Sequence, residues 1–423
     1  MRPQTNGSEI PDTYRASRAH RLALAMPATE QSRQSTYHQW QSVAETVHGQ
    51  RYLVATKPGV FSHGRADPAA LLLAEHAAIK EGDTVLHLNC GNGLFGAVAA
   101  TTAARVYFTD RHFVSVQAAL RTLSLNNVVN AEVLLGHGAF VLPAHVRPNV
   151  VGIRIPHEKQ ALHQLLHDAF LALPLGGRCY VAGANNEGIK PAQKALVDIF
   201  GNANKLAEGG SHRVILSTKR NEQPATEGLF DSAFFEGDSF SEMFVTLRGM
   251  PITVYSRPGV FSWDHVDEAT ALLAEHMIVN AGESVLDLGC GSGGLGVTAA
   301  RLSGTGRVRL VDADVEAVRS TRGTIEVSGQ KNCSVEISDV ASAVIHERFD
   351  VVLSNPPFHV GKATNLELPQ QFIRDAFTVL NPGGRLYLVA NRTLPYESMI
   401  ETQFGKVTTL HDGQRFKVLS AVK

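Results

Sequence analysis

Cysteine is scarce in this chain of 423 residues: only Cys90, Cys179, Cys290 and Cys333 occur, with no CxxC pair and no zinc-like histidine spacing. That leaves no basis for a disulfide framework or a metal partner, and it suits a reducing, cytoplasmic compartment. Long apolar runs are also missing. Nothing approaches the roughly 18 residues of a membrane-spanning helix, and the apolar piece from Leu22 to Met26 is too short for a signal-peptide core. The expected partners therefore include no membrane and no metal. A surplus of charge is lacking too, since 39 basic and 40 acidic residues give a net charge of −1. Nucleic-acid enzymes usually carry a basic excess, so any such contact has to come from a local patch.

What the chain has is a repeat. KPGVFSHGRADPAALLLAEH from Lys57 matches RPGVFSWDHVDEATALLAEH from Arg257, and each matched pair lies 200 positions apart. The register already holds at Gly49 and Gly249, and again at Pro156 and Pro356. Two diverged copies of one unit therefore stand in tandem. The division this predicts is a polar extension over residues 1–36, a first domain over 37–220, a linker over 221–239 and a second domain over 240–423. Inside each copy short apolar strands alternate with helical periods. In the second they run SVLDLG, RVRLVD, CSVEIS, FDVVLS and GGRLYLVA, with helices between most of them. This alternation predicts an α/β fold, a mostly parallel, doubly wound, Rossmann-like sheet in each copy. KVTTLHD and RFKVLSAVK follow with no helix between them, so the last strand should be antiparallel.

The second copy carries the chemical signals. In VLDLGCGSGGLG, glycines Gly289, Gly291 and Gly293 stand between a strand and a helix, with Asp287 and Cys290 among them. Such a turn lets a ligand lie on bare backbone at the positive end of a helix. It lacks the lysine of a phosphate-binding loop, which disfavours a nucleotide triphosphatase. Asp312 ends the next strand, where a carboxylate can accept from both hydroxyls of a ribose. Asp339, after the third strand, is placed to accept from an adenine amino group. After the fourth strand comes Asn355, Pro356, Pro357 and Phe358. An aromatic amine is a weak nucleophile because its lone pair is delocalised. The Asn355 side-chain oxygen and the Pro356 carbonyl can take its two hydrogens and aim that lone pair. Phe358 offers a face for a flipped-out base.

The first copy has lost these groups. His87 stands for Asp287, Ile155 for Asn355 and Arg154 for Ser354, while Asp110 survives opposite Asp312. That copy is expected to have kept the fold and lost the chemistry.

The tandem PGVFS segments, the degenerate first copy, NPPFHVG and VANRTLPYE together resemble the ribosomal RNA guanine-N(2) methyltransferases, from about Val47 to the end. The resemblance implies two tandem class I methyltransferase domains, S-adenosylmethionine as cofactor, and ribosomal RNA or a ribosomal subunit as partner. It places the target guanine at Asn355, Pro356, Pro357 and Phe358, and the cofactor around Asp287, Gly289, Cys290, Gly291, Gly293, Asp312 and Asp339. It also suggests Asn391, Arg392 and Tyr396 as a substrate wall. The expected reaction is methylation of a guanine 2-amino group, in small-subunit RNA before large-subunit RNA. Methylation of adenine amines or of a release-factor glutamine amide, and a non-enzymatic RNA-binding assembly factor, stand as alternatives. Arg105, Arg111, Arg121, Arg147, Arg154, Lys190, Lys194, Arg213, Lys219 and Arg220 are the candidates for an RNA-facing patch.

Overall fold

The structure, a computed structural model, describes residues 36–156, 158–231, 235, 239–357 and 366–423. Each copy opens with an antiparallel hairpin, β1 (Gln41–Val47) with β2 (Gln50–Thr56) in the first. There follow α1 (Pro68–His76), β3 (Thr84–Leu88), α2 (Leu94–Ala99), β4 (Arg105–Asp110), α3 (Phe113–Leu125) and β5 (Ala131–Leu135). The first copy ends with β6 (Val150–Arg154), α4 (Lys159–Ala172), β7 (Arg178–Ala184), α5 (Ile189–Phe200), β8 (Asn204–Gly209) and β9 (His212–Thr218).

The second copy repeats the order. Its hairpin is β10 (Ser241–Leu247) with β11 (Met250–Ser256), followed by α6 (Glu268–His276), β12 (Val285–Leu288), α7 (Gly294–Ser303) and β13 (Val308–Asp312). Then come α8 (Val315–Ser328), β14 (Cys333–Ile337), β15 (Phe349–Ser354), α9 (Glu367–Val379) and β16 (Leu380–Asn391). The last elements are α10 (Tyr396–Phe404), β17 (Thr408–Asp412) and β18 (Phe416–Val422).

Among the described residues the sheets run β5-β4-β3-β6-β7-β9-β8 and β14-β13-β12-β15-β16-β18-β17. All neighbours are parallel except those of β9 and β18, the reversed final strands. The central strands β3 and β12 are buried on both faces because helices cover both, as a parallel sheet requires, and His87 and Asp287 are the polar residues they carry inside. Asp67 and Asp267 start α1 and α6 by accepting the N–H three residues on, a side-chain cap for an otherwise orphaned donor.

Of the three residues suggested as a substrate wall, Arg392 is exposed and Asn391 half-buried, but Tyr396 is turned inward. Tyr396 begins α10 and is fully buried in the core under β16 and β18, where an aromatic ring contributes packing rather than substrate contact. Arg392 is tied to Asp412 and to the Gly413 carbonyl, and Asn391 accepts from Thr393. Only the two reversed strands had been expected at this end. The nine-residue helix α10 between β16 and β17 had not.

The copies face each other about an approximate two-fold axis. Phe113 N–H donates to the Ala313 carbonyl at 2.8 Å, and Val315 N–H to the Arg111 carbonyl at 2.9 Å, so equivalent loops pair reciprocally. Buried ion pairs cross the same plane. Arg111 meets Asp314 at 2.6 Å and Lys57 meets Asp339, while Arg257 holds Glu316 at 2.9 Å beside the junction. The segments leading into each copy also cross over. Tyr37 lies in the core of the second copy, and Phe230 and Phe235 pack on His167 of the first.

Replacing Arg111 by Met leaves the Asp314 carboxylate buried without its cation. Removing one partner of such a pair costs about 3–5 kcal/mol. The urea midpoint of the full chain is expected to fall accordingly, and an unchanged midpoint would show that the pair does not hold the copies together.

Candidate functional site

A cavity of about 660 Å³ opens at the carboxyl ends of β12, β13 and β15, where doubly wound sheets place ligands. The glycine turn forms its floor. Gly291 has φ +55° and bare space where a Cβ would point, and Gly293, at φ +83°, lies against Thr321 too closely for any side chain. Backbone therefore faces the cavity at the amino end of α7. Cys290 lies beside it, buried, with its sulfur 3.5 Å from the Thr321 hydroxyl. Asp312 is set by two backbone donors, Gly291 N–H on Oδ2 at 2.9 Å and Asp314 N–H on Oδ1 at 3.0 Å. Those bonds fix the carboxylate while it lines the cavity.

Asp287 lies beneath the turn, and its Oδ2 has no hydrogen-bond partner among the described residues. Burial pushes its carboxyl up to about 7; the Gly296 N–H opposes the shift and Asp312 adds to it. In the first copy His87 occupies this place, accepts the Gly96 N–H at 3.2 Å, and is kept neutral by burial, with a pKa of about 3.

Asp339 is held from across the junction. Tyr37 donates its hydroxyl to Oδ1 at 2.6 Å, and Lys57 pairs with Oδ2 while lying over the Tyr37 ring. Its carboxylate thus lines the cavity with two donors of the first half already engaged. Gly59, His112 and Val114 extend the same wall. None of these had been singled out as site residues. The one signal was a cation at the head of both repeats, Lys57 and Arg257, a detail that periodicity alone does not explain.

At the far end stands Asn355. Its Nδ2 donates to Asp267 Oδ2 and to Thr270 Oγ1, both at 2.9 Å. Its Oδ1 is buried with no partner among the described residues. The two bonds decide which way round the amide stands, and they leave an acceptor free at the cavity, which Pro356 and Pro357 also line. Phe358 lies outside the described residues. Asp267, Thr270 and Phe261 complete this end, and sequence reasoning had passed over them as repeat residues.

The basic patch needs correction. Arg154 and Lys219 are buried, Arg111 is largely covered and paired with Asp314, Arg105 pairs with Glu132, and Arg213 with Glu208. Arg121, Arg147, Lys190, Lys194 and Arg220 remain exposed. No group of three metal-binding side chains occurs among the described residues, and none of their helices is long and apolar enough to cross a membrane.

The sequence matches the family model described as the methyltransferase small domain twice, over residues 51–216 and 251–420. It is 32% identical over 285 residues to the ribosomal RNA small subunit methyltransferase C of Hahella chejuensis, covering 67% of this chain and 80% of that one. The protein of the same name from Escherichia coli is 35% identical over 267 residues, 63% of this chain and 73% of its own. Among solved structures, the 16S rRNA N2 methyltransferase of T. thermophilus, specific for guanine 1207 and crystallised with AdoMet and guanosine, superposes with a TM-score of 0.76. It is 30% identical, and the match covers 92% of this chain and 99% of that one.

The pKa of Asp287 makes the cavity sensitive to pH. A carboxyl raised from about 3.9 in the unfolded chain holds its proton in the fold, so its contribution is full below pH ~4 and is lost as pH climbs to about 7. Asp287→Asn is expected to raise the urea midpoint of the cofactor-free protein at about pH 8, the gain shrinking toward about pH 4. Slope left in the variant comes from the other buried groups, among them Asp375, which burial also pushes up to about 7, and Asp110 and Asp312, which burial raises. A gain that is the same at both pH values would overturn the assignment.

Proposed function

Because the chain belongs to the methyltransferase small-domain family and, within it, to the ribosomal RNA small subunit methyltransferase C proteins, we propose that it transfers a methyl group from S-adenosylmethionine to the 2-amino group of a guanine in small-subunit ribosomal RNA. The guanine corresponding to position 1207 of the T. thermophilus substrate is the target. Residues 240–423 carry the reaction, residues 37–220 form a non-catalytic copy, and residues 221–239 join them. The protein works in the cytoplasm, on RNA or on a ribosomal subunit.

The observation that carries this reading is the Asn355 amide, its nitrogen tied down and its oxygen free. Bound S-adenosylmethionine supplies an electrophilic methyl on a sulfonium sulfur. The residues present suit it. Bare backbone from Gly289 to Gly293 accommodates the amino-acid end, and Asp287 lines the same space, where a bound positive charge would favour loss of its proton. Asp312 offers the ribose hydroxyls a fixed acceptor, and Asp339 stands at the base end. Asn355 Oδ1 and the Pro356 carbonyl accept the two amine hydrogens and turn the nitrogen lone pair toward the methyl. Asn355 and Pro356 hold the amine while it takes the methyl, whose bonding electrons stay on the cofactor's sulfur, and until the nitrogen loses one proton to water. Positioning, with no general base, accounts for the chemistry.

Asn355→Ala is expected to lower kcat at least about 100-fold while cofactor affinity stays within about twofold, because the lost group orients the amine rather than the donor. Transfer from labelled cofactor to unmodified small subunits and their RNA, with the product digested and identified by mass as N2-methylguanosine, measures both. Activity surviving in the variant would remove Asn355 from the mechanism. Product in large-subunit RNA alone would move the substrate.

A further inference from the structure

The inactive copy contains a planar group where the active copy has space. Arg154 ends β6, and strand pairing corrects its match in the sequence: Val150 lies beside Val85 as Val351 lies beside Val285, which sets Arg154 in the place of Asn355 rather than of Ser354. Its guanidinium carbon lies 4.3 Å from the centroid of the Phe61 ring. Its Nε and Nη2 donate to the two oxygens of Asp67 at 3.1 and 3.5 Å, and Nη1 donates to the Ile155 carbonyl at 2.6 Å. A flat, donor-rich cation is thus stacked on a phenyl face and read edge-on by a carboxylate.

The matching residues of the second copy are Phe261 and Asp267. Asn355, which takes the place of Arg154 there, is shorter: its Nδ2 meets Asp267 Oδ2 at 2.9 Å as Arg154 Nε meets Asp67 Oδ2, but it has no planar group to extend over Phe261 toward Oδ1. Phe261 is 58% exposed at the cavity. Asp267 uses Oδ2 for Thr270 and Asn355, and its Oδ1 has no hydrogen bond among the described residues. Thr270, which helps to lock Asn355, is Ala70 in the first copy, so the amide and its support are missing together there.

The N1–C2–N2 edge of guanine is itself a guanidine fragment, with one donor on N1 and two on N2. We propose that Phe261 and Asp267 read the target base: Phe261 carries its face and Asp267 Oδ1 accepts its N1–H, the place that Arg154 fills internally in the first copy. This deepens the reading above and rests on it. Three acceptors, Asp267 Oδ1, Asn355 Oδ1 and the Pro356 carbonyl, then match the three donors of guanine. Adenine presents an acceptor at N1, which would face the carboxylate lone pairs. Discrimination between the two amino-purines follows from Asp267, and orientation of the reacting amine from Asn355.

The test uses the full chain saturated with S-adenosylhomocysteine, titrated with guanosine and with 2-aminopurine riboside, which keeps the 2-amino group but has no hydrogen on N1. The wild type is expected to prefer guanosine by about tenfold or more. Asp267→Ser retains a helix-capping hydroxyl but cannot reach the base, and should bring the two within about threefold. Asp267→Asn, with an amide that can turn its NH₂ toward N1, should equalise or invert them. Phe261→Ala should weaken both ligands about equally, and Phe261→Trp should restore them. Affinity for S-adenosylhomocysteine within about twofold of wild type certifies each variant as folded. A wild-type preference that persists in both Asp267 variants, or unchanged binding in Phe261→Ala, overturns the proposal. Methyl transfer to guanine is scored on the same wild-type preparation. Its absence would defeat the functional reading itself, whereas intact transfer with an unaltered ratio defeats only this assignment.

Discussion

The Asp314 carboxylate is the point on which the two halves of this protein depend. It accepts the first free N–H of α8, it takes the Arg111 guanidinium from the other copy, and its own backbone N–H fixes Asp312. Burial pushes such a carboxyl up, but Arg111 and His112 outweigh that, and its pKa ends below the ordinary value. An anion here is stable only with the first copy in place. Helix start, junction and ribose-facing carboxylate are therefore one electrostatic unit.

The same economy explains a neutral chain that works on a polyanion. Lys57, Arg111, Arg154 and Arg257 are spent inside the fold, each on a buried acid. Counting basic residues overstated what RNA can meet. The cations left at the surface are spread out, Arg121 on α3, Lys190 and Lys194 on α5, and Arg147 and Arg220 in loops. Internal pairing also shows how the first copy stays folded after losing its chemistry. Arg154, Asp67 and Glu187 close the old substrate space with charges that satisfy one another.

How much could be read from the sequence follows the range of the interactions involved. Strand–helix alternation, the reversed final strand and the glycine turn are local patterns, and the structure has them at nearly the expected residues, as with FDVVLS and Phe349–Ser354. Asn355 could be singled out because adjacent prolines and the preceding strand define its setting. Tyr37 and Lys57 could not, since their partner Asp339 is 302 and 282 residues away and no spacing rule spans such a gap. The mistaken wall at Tyr396 has a related cause. A polar-looking stretch carried one aromatic residue, and only three-dimensional packing shows that the ring faces inward. Asp267 was hidden differently, because capping a helix and lining a cavity leave the same mark in sequence.

The crossing of Tyr37 into the second copy has a consequence for biosynthesis. The residue is made early, but the helix and carboxylate that receive it, α9 and Asp339, are made about 300 residues later. At roughly 5–20 residues per second, that separates the two by roughly 15–60 s. Throughout that interval the first copy is present with its leading aromatic ring and the Lys57 cation unmatched, whatever the rest of its sheet has done. The long loop can close only after that, and its closure completes this wall of the cavity. Completion of the cofactor pocket therefore waits for synthesis of the second copy, and a chain cut before Asp339 lacks the partner that seals it.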